Sequence, residues 1–215
     1  MKYKQANVAN FTKGRSDRIK FIVVHYTANN GDTASGNLNY FANNIVKASA
    51  HYFVDEKEVC QSVKEEDTAY HCGAKTYKHK VCRNSNSIGI EMCSRKDNYG
   101  NYYIKAETIE RAVDLIKVLM RKYGISSKNI LRHYDVTGKN CPAPFVENET
   151  LWKAFLKKIA EADMEVKTIK IKINDKTKTV KAIEKDGYNY VKLQDLRDDR
   201  IQISYDKLPI IKING

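Results

Sequence analysis

Phe21-Ile-Val-Val-His-Tyr26 is apolar on both faces of any strand it forms. A β-branched run of that kind needs cover on both sides, so it reads as a buried central strand. It ends on His25, which places an imidazole at the end of that strand.

The pattern downstream alternates between two periods. Leu38, Phe41, Ala42 and Ile45 recur at helical spacing and predict a helix over Ser35–Val46. Ala50–Asp55 and Glu58–Val63 read as paired strands around an Asp-Glu-Lys turn, and Glu65–Ser85 as polar and irregular. In Ser87-Ile-Gly-Ile-Glu-Met-Cys93 the alternation puts Ile88, Ile90 and Met92 on one face and Gly89, Glu91 and Cys93 on the other. Ala106–Tyr123 carries one apolar stripe and stops at Gly124. Ile130–Arg132 is a short strand that delivers His133, and Glu149–Glu161 is a last helix packing through Leu151, Phe155 and Ile159.

After Ala162 the period becomes two. Thr168–Asn174 and Thr177–Ile183 alternate strictly around Asn174-Asp175, Gly187 marks another turn, and strands follow near Tyr188–Leu193, Ile201–Tyr205 and Ile210–Ile213. The expected organisation is a domain over residues 1–162 and a small β-rich domain over 168–215.

Of 215 residues, 42% are hydrophobic, enough for a buried core. The net charge of +12 favours polyanions: nucleic acid, an anionic membrane, or a wall rich in phosphate polymers. No motif with base-reading geometry supports nucleic acid. No apolar run is long enough to insert in a membrane. The first residues, Met-Lys-Tyr-Lys-Gln-Ala-Asn, lack a secretory signal, so synthesis in a bacterial cytoplasm is expected. Five cysteines in no Cys-x-x-Cys spacing argue against a disulfide scaffold.

Cys141 differs from the others by its neighbours. In Arg132-His-Tyr-Asp-Val-Thr-Gly-Lys-Asn-Cys-Pro142, His133 and Cys141 stand with seven residues between them across a glycine-containing loop. Zinc takes nitrogen and thiolate donors tetrahedrally, and His25, His133 and Cys141 would fill three positions and leave one open. Singly, a strand-end histidine is more often structural and a cysteine before proline more often packing; the combination carries the reading. His71, Cys72, His79 and Cys82 offer a competing second site, but without the cysteine knuckle of such sites.

Phe21-Ile-Val-Val-His-Tyr-Thr27, Ser49-Ala-His-Tyr-Phe-Val-Asp55, Ala69-Tyr-His-Cys-Gly73, Ser87-Ile-Gly-Ile-Glu91 and His133–Pro142 occur in an order that resembles the type 2 N-acetylmuramoyl-L-alanine amidases, a family that includes peptidoglycan recognition proteins and phage endolysins. The resemblance spans about residues 18–160. It implies an α/β fold, a mixed central β-sheet flanked by helices, with zinc in a cleft at the strand ends. It implies zinc on His25, His133 and Cys141, Glu91 as general base, and Lys139 as the basic partner of the reaction. It implies substrate contact for His71, and His51 is a second candidate for substrate contact. Some relatives have a catalytic tyrosine where this chain has His51; Tyr52 follows it and should face the other way. The implied reaction is hydrolysis of the amide between N-acetylmuramic acid and L-alanine of peptidoglycan, by an endolysin or prophage autolysin that reaches the wall after release. The alternative is a non-catalytic peptidoglycan-binding module.

The C-terminal stretch, through Lys172-Ile-Asn-Asp-Lys-Thr and Asp186-Gly-Tyr-Asn-Tyr-Val-Lys-Leu, resembles repeats of clostridial surface proteins related to the N-terminal domain of copper amine oxidases. That implies wall attachment, with anionic wall polymers as candidate partners, or homo-oligomer formation. The bland reading of the Ile169, Ile171, Ile173 stripe is the module's own core.

Overall fold

The computed structural model describes residues 1–161, 166–173, 176–185, 188–198, 200–206 and 208–213. The turns expected at Asn174-Asp175 and Gly187, and most of the stretch joining the two expected domains, lie outside the described residues. The chain divides into two compact units, Met1–Ile159 and Ala160–Gly215.

The first unit is built on a six-stranded mixed sheet. Its strands are β1 (Lys2–Tyr3), β2 (Phe21–Tyr26), β3 (Tyr52–Val54), β4 (Val59–Gln61), β5 (Ser87–Met92) and β6 (Ile130–Arg132), in the spatial order β1-β4-β3-β5-β2-β6. The apolar run β2 sits between β5 and β6 and is parallel to both. β3 is parallel to β5, and β4 returns antiparallel to β3.

Period-two alternation divides these strands between two buried layers. Ile22, Val24, Tyr52, Val54, Ile88, Ile90 and Met92 face helix α2 (Ala106–Tyr123) and the later helix α4 (Glu149–Glu161). There they meet Ala112, Val113, Ile116, Leu119, Trp152, Phe155 and Ile159 in one core. Burial of each large aliphatic side chain contributes about 1.5–3 kcal/mol. On the opposite face Phe21 and Val23 pack with Cys72, Cys82 and Val136, while Phe53 and Cys60 pack under α1 (Ala34–Asn43). His25, Gly89 and Glu91 share that second face. The mixed sheet flanked by helices is the architecture expected from the sequence.

Two local expectations need correction. α1 ends at Asn43, before Val46, and Ile45 is exposed rather than part of its apolar stripe. Asn44 turns both its backbone N–H and its side-chain amide onto the Tyr40 carbonyl, and Asn10 Oδ1 then accepts the N–H groups of Val46 and Lys47. Residues 65–85 are irregular apart from a two-residue strand, Thr68–Ala69, paired with Phe11–Thr12, and Asp67, His71, Cys72 and Cys82 within them are buried. Arg15 ties this segment to the sheet by donating to the carbonyls of Glu65, Ser85 and Ser87. Burial lowers its guanidinium to about 10.

The second unit holds an antiparallel meander of β7 (Val166–Ile173), β8 (Lys176–Lys185) and β9 (Tyr188–Val191), with a hairpin of β10 (Ile201–Asp206) and β11 (Leu208–Ile213). Val180, Ala182, Ile201 and Ile203 are buried, and Ile169, Ile171 and Ile173 are half-buried, as a core stripe would be. Lys178 pairs with Asp198 at 2.5 Å. Among the described residues no helix is long and apolar enough to cross a membrane.

Candidate metal centre and catalytic cleft

The segment that carries two of the expected donors is held by Arg132. Asp135 accepts the Arg132 backbone N–H at 2.9 Å and pairs with its guanidinium, which also reaches the Phe145 carbonyl and Glu149. His133 thereby becomes the first residue of a short helix, α3 (His133–Thr137), directly at the end of β6. Gly138, at φ +85°, ends that helix in a left-handed conformation that favours glycine. The Tyr134 N–H then donates to the Cys141 carbonyl at 2.9 Å, so the thiol folds back toward His133.

His25, His133 and Cys141 are all buried, and their donor atoms lie within 4.8 Å of one another. Cys141 Sγ is 3.8 Å from His25 Nδ1, and the two imidazole centroids are 4.6 Å apart. His133 Nδ1 is buried with no hydrogen-bond partner. Burial, then the charge of neighbouring groups, holds His25 far below the usual imidazole range, and burial followed by Lys139 brings His133 down to about 4. Burial pushes the Cys141 thiol up to about 12, with Glu91 adding to the rise. Two neutral imidazoles, one with a bare buried nitrogen, and a thiol that needs a cation in order to ionise form a donor set that fits a soft or borderline divalent metal.

Glu91 stands on β5 opposite His25 in register. Its Oε2 is buried without a partner, and burial pushes the carboxyl up to about 8, with Lys139 opposing and Asp32 adding to the shift. It lines a cleft of about 690 Å³ with Thr27, Asp32, Asn37 and Phe53. A second cleft of about 660 Å³ is lined by Tyr70, His71, His133 and Lys139. Lys139 is exposed on its rim, and its charge is felt at His25, His133 and Glu91.

The two remaining expected site residues are placed differently. His51 is fully buried, its Nδ1 accepts the Gly89 N–H at 3.0 Å, and its Nε2 lies against the Asp67 carbonyl and Arg15. No ring nitrogen is left for a substrate, so the position of His51 is structural, against the expectation of substrate contact. Tyr52 faces the opposite layer, as the alternation requires, with its hydroxyl on Glu65. His71 lines the second cleft, but both of its nitrogens are engaged, by His25 and by Ser87. Ser87 and Asp32 join the site without having been expected from the sequence. Ser87 was legible, since it lies two residues before Gly89 on the same face; Asp32 sits in a polar loop with no periodicity.

The competing site at His71, Cys72, His79 and Cys82 does not form. His79 Nδ1 accepts the N–H groups of Val81 and Cys82, and both thiols belong to an apolar cluster. Among the described residues His25, His133 and Cys141 are the one group of three able to hold a metal.

Gly89 makes the seat for His71. A Cβ there would lie 2.5 Å from His71 Cγ and 2.8 Å from Cδ2 and Nδ1. The ring is held between His25 and Ser87 and has little room to give. Gly89→Ala is expected to lower unfolding free energy by about 1–3 kcal/mol, the usual cost of overpacking. Denaturant titration checks this, and a loss under about 0.5 kcal/mol, the scale of ordinary surface substitutions, would mean that the ring moves freely.

A profile of N-acetylmuramoyl-L-alanine amidase matches residues 15–144, which span all three donors and Glu91. The chain belongs to this family. Amidase CwlL of Bacillus licheniformis is 39% identical over 150 residues, covering 66% of this chain and 41% of that protein. Amidase BlyA of Bacillus subtilis is 37% identical over 164 residues, covering 70% and 43%. The family member described here thus spans less than half the length of these curated relatives. A mutant endolysin from Bacillus subtilis superposes with a TM-score of 0.60 at 32% identity, over 74% of this chain and 97% of that one. The catalytic domain of XlyA does so with 0.58 at 27%, over 74% and 99%. The mixed sheet and its helices are therefore the amidase fold.

Proposed function

We propose that this family member hydrolyses the amide between the lactyl group of N-acetylmuramic acid and L-alanine in bacterial peptidoglycan, with zinc on His25, His133 and Cys141. The observation that carries the reading is the convergence of three buried donor atoms within 4.8 Å, with a bare, desolvated carboxyl on Glu91, the residue paired with His25 across the sheet. When bound, zinc supplies Lewis acidity, polarising the amide carbonyl and acidifying water. Glu91 Oε2 accepts the proton of the attacking water and passes it to the departing nitrogen, so that the C–N bond breaks to a carboxylic acid and a free amine. A proton acceptor needs affinity for a proton near neutral pH, and burial provides it at Glu91. The Lys139 ammonium offsets negative charge as it develops on the amide oxygen.

Digestion of purified walls tests the reaction. New lactyl carboxyl groups and new L-alanine amines in equal number are expected. New reducing sugars or new D-amino termini alone would overturn it. The alternative of a non-catalytic binding module loses support because all three donors and the carboxyl are in place.

The second unit serves, in this proposal, as a wall-attachment or self-association module related to the copper amine oxidase N-terminal domain. The outer strands of its meander, β7 and β9, each pair on one side only among the described residues, and such an edge is a template for a second copy. A chain ending at Ala162 is expected to retain zinc and cleave soluble muramoyl-peptides as the full chain does, because the first unit has its own core. It should sediment less with intact walls, since a second attachment point raises local concentration. Equal sedimentation would remove the targeting role, and monomers of both chains in light scattering would remove the association.

A further inference from the structure

We infer that His71 is a positioning residue: with Ser87 it fixes the tautomer of His25 so that the bare Nδ1 of His25 faces Cys141 and His133. The inference rests on the metal reading above and deepens it.

A chain of contacts leads from a backbone carbonyl to His25. Ser87 Oγ is 2.7 Å from the Arg83 carbonyl oxygen. A carbonyl only accepts, so the single hydroxyl proton of Ser87 is committed there. Cys72 Sγ, at 3.9 Å from the same hydroxyl, is a weak acceptor that competes poorly with the carbonyl for that proton. Ser87 Oγ must therefore accept from His71 Nε2, 3.1 Å away. A neutral imidazole with its proton on Nε2 has a lone pair on Nδ1. His71 Nδ1 lies 3.1 Å from His25 Nε2, so His25 donates there. The one proton of a neutral His25 is then on Nε2, and Nδ1, 3.8 Å from Cys141 Sγ, is left with a lone pair.

One carbonyl at the far end thus sets the direction of every proton in the series. Reversing it would take the hydroxyl proton of Ser87 away from the Arg83 carbonyl and turn a proton of His25 into the donor set. Metal-ligating histidines in general hold their second nitrogen in such a contact, and its loss costs about 10–100-fold in metal affinity. Here the contact is a buried imidazole anchored to backbone through a serine. The fold builds the seat for it: Ser87, Gly89 and Glu91 lie on one face of β5, and Gly89 lacks the side chain that would collide with the His71 ring. The three residues at period two orient a donor, admit the ring that orients it, and supply the carboxyl.

The test reads tautomers in metal-free protein and zinc affinity in parallel. Nitrogen-15 histidine spectra of the full chain, chelated and held near pH 8, are expected to show His25 and His71 both as Nε2–H tautomers. Ser87→Ala removes the anchor, and is expected to mix the tautomers and raise the zinc Kd about 10–100-fold, measured by competition with a chromophoric chelator. Ser87→Thr, which restores the hydroxyl, should recover both readouts. An Nδ1–H tautomer at His25 in the wild-type protein overturns the inference even if neither variant folds. So does an unchanged zinc Kd in folded Ser87→Ala. Wild-type protein that binds no zinc while showing both Nε2–H tautomers would instead sink the metal reading and leave the proton order standing.

Discussion

Cys141→Ser is expected to purify as a folded protein that holds little zinc and clears almost no cell wall. The backbone explains why the fold should survive. The Cys141 carbonyl accepts the Tyr134 N–H and its own N–H reaches the Lys139 carbonyl, and neither contact uses sulfur. The chemistry explains why the metal should go. Burial already holds the thiol at about 12, and only a cation in the site makes its ionisation favourable. A serine hydroxyl in the same place is a far weaker acid and stays neutral, so the site loses both a ligand and its negative charge. Metal analysis of the purified variant, with turbidity loss of purified walls, reads both effects. Stoichiometric zinc with undiminished clearing would show that Cys141 is not a ligand.

The second large effect is expected at Glu91. Glu91→Gln keeps shape and volume, touches none of the three donors, and removes the atom assigned to proton transfer. A positioned acid–base group contributes about 10²–10⁴-fold, so turnover should fall by that factor with zinc content unchanged. Lys139→Ala should show the same pattern of lost rate at full zinc. Wild-type turnover in Glu91→Gln would reduce the carboxyl to a bystander.

Stability offers an independent check on the same residue. In the folded, metal-free chain Glu91 holds its proton up to about 8, against an ordinary value of 4.5. The folded state binds that proton more tightly than the unfolded state does. The contribution is therefore complete below the unfolded value and is lost as pH rises through about 8. Chelated Glu91→Gln should match wild type near pH 4 and exceed it in denaturant resistance near pH 8. A difference between the two proteins that does not grow with pH would show that the carboxyl is not desolvated.

Much of this was readable before any coordinate. β2 declared itself by being apolar on both faces, and α2 by a stripe with a glycine stop; both have the bounds the sequence predicts. The donors were legible because each sits at a strand end or in a glycine-bearing loop, where chain direction alone fixes position. The roles of His51 and His71 were not. Both depend on which partner reaches a ring nitrogen, and those partners, the Gly89 N–H and Ser87, come from a strand remote in the sequence. The end of α1 was missed for a related reason: Asn10, far upstream, takes the N–H groups that would have continued it.

The strand order has a consequence for synthesis on the ribosome. β2 is made early, but both of its neighbours, β5 and β6, come later, and Cys141 later still. Until residue 141 has left the exit tunnel, an emerging chain carries His25 on an apolar strand with one or both edges open and no complete set of donors. Under the proposed function, an activity assembled this way would switch on only after Cys141 has been translated, and a chain interrupted before it would lack one of the three donors. The cost is a nascent strand that invites aggregation or chaperone binding while it waits for its partners.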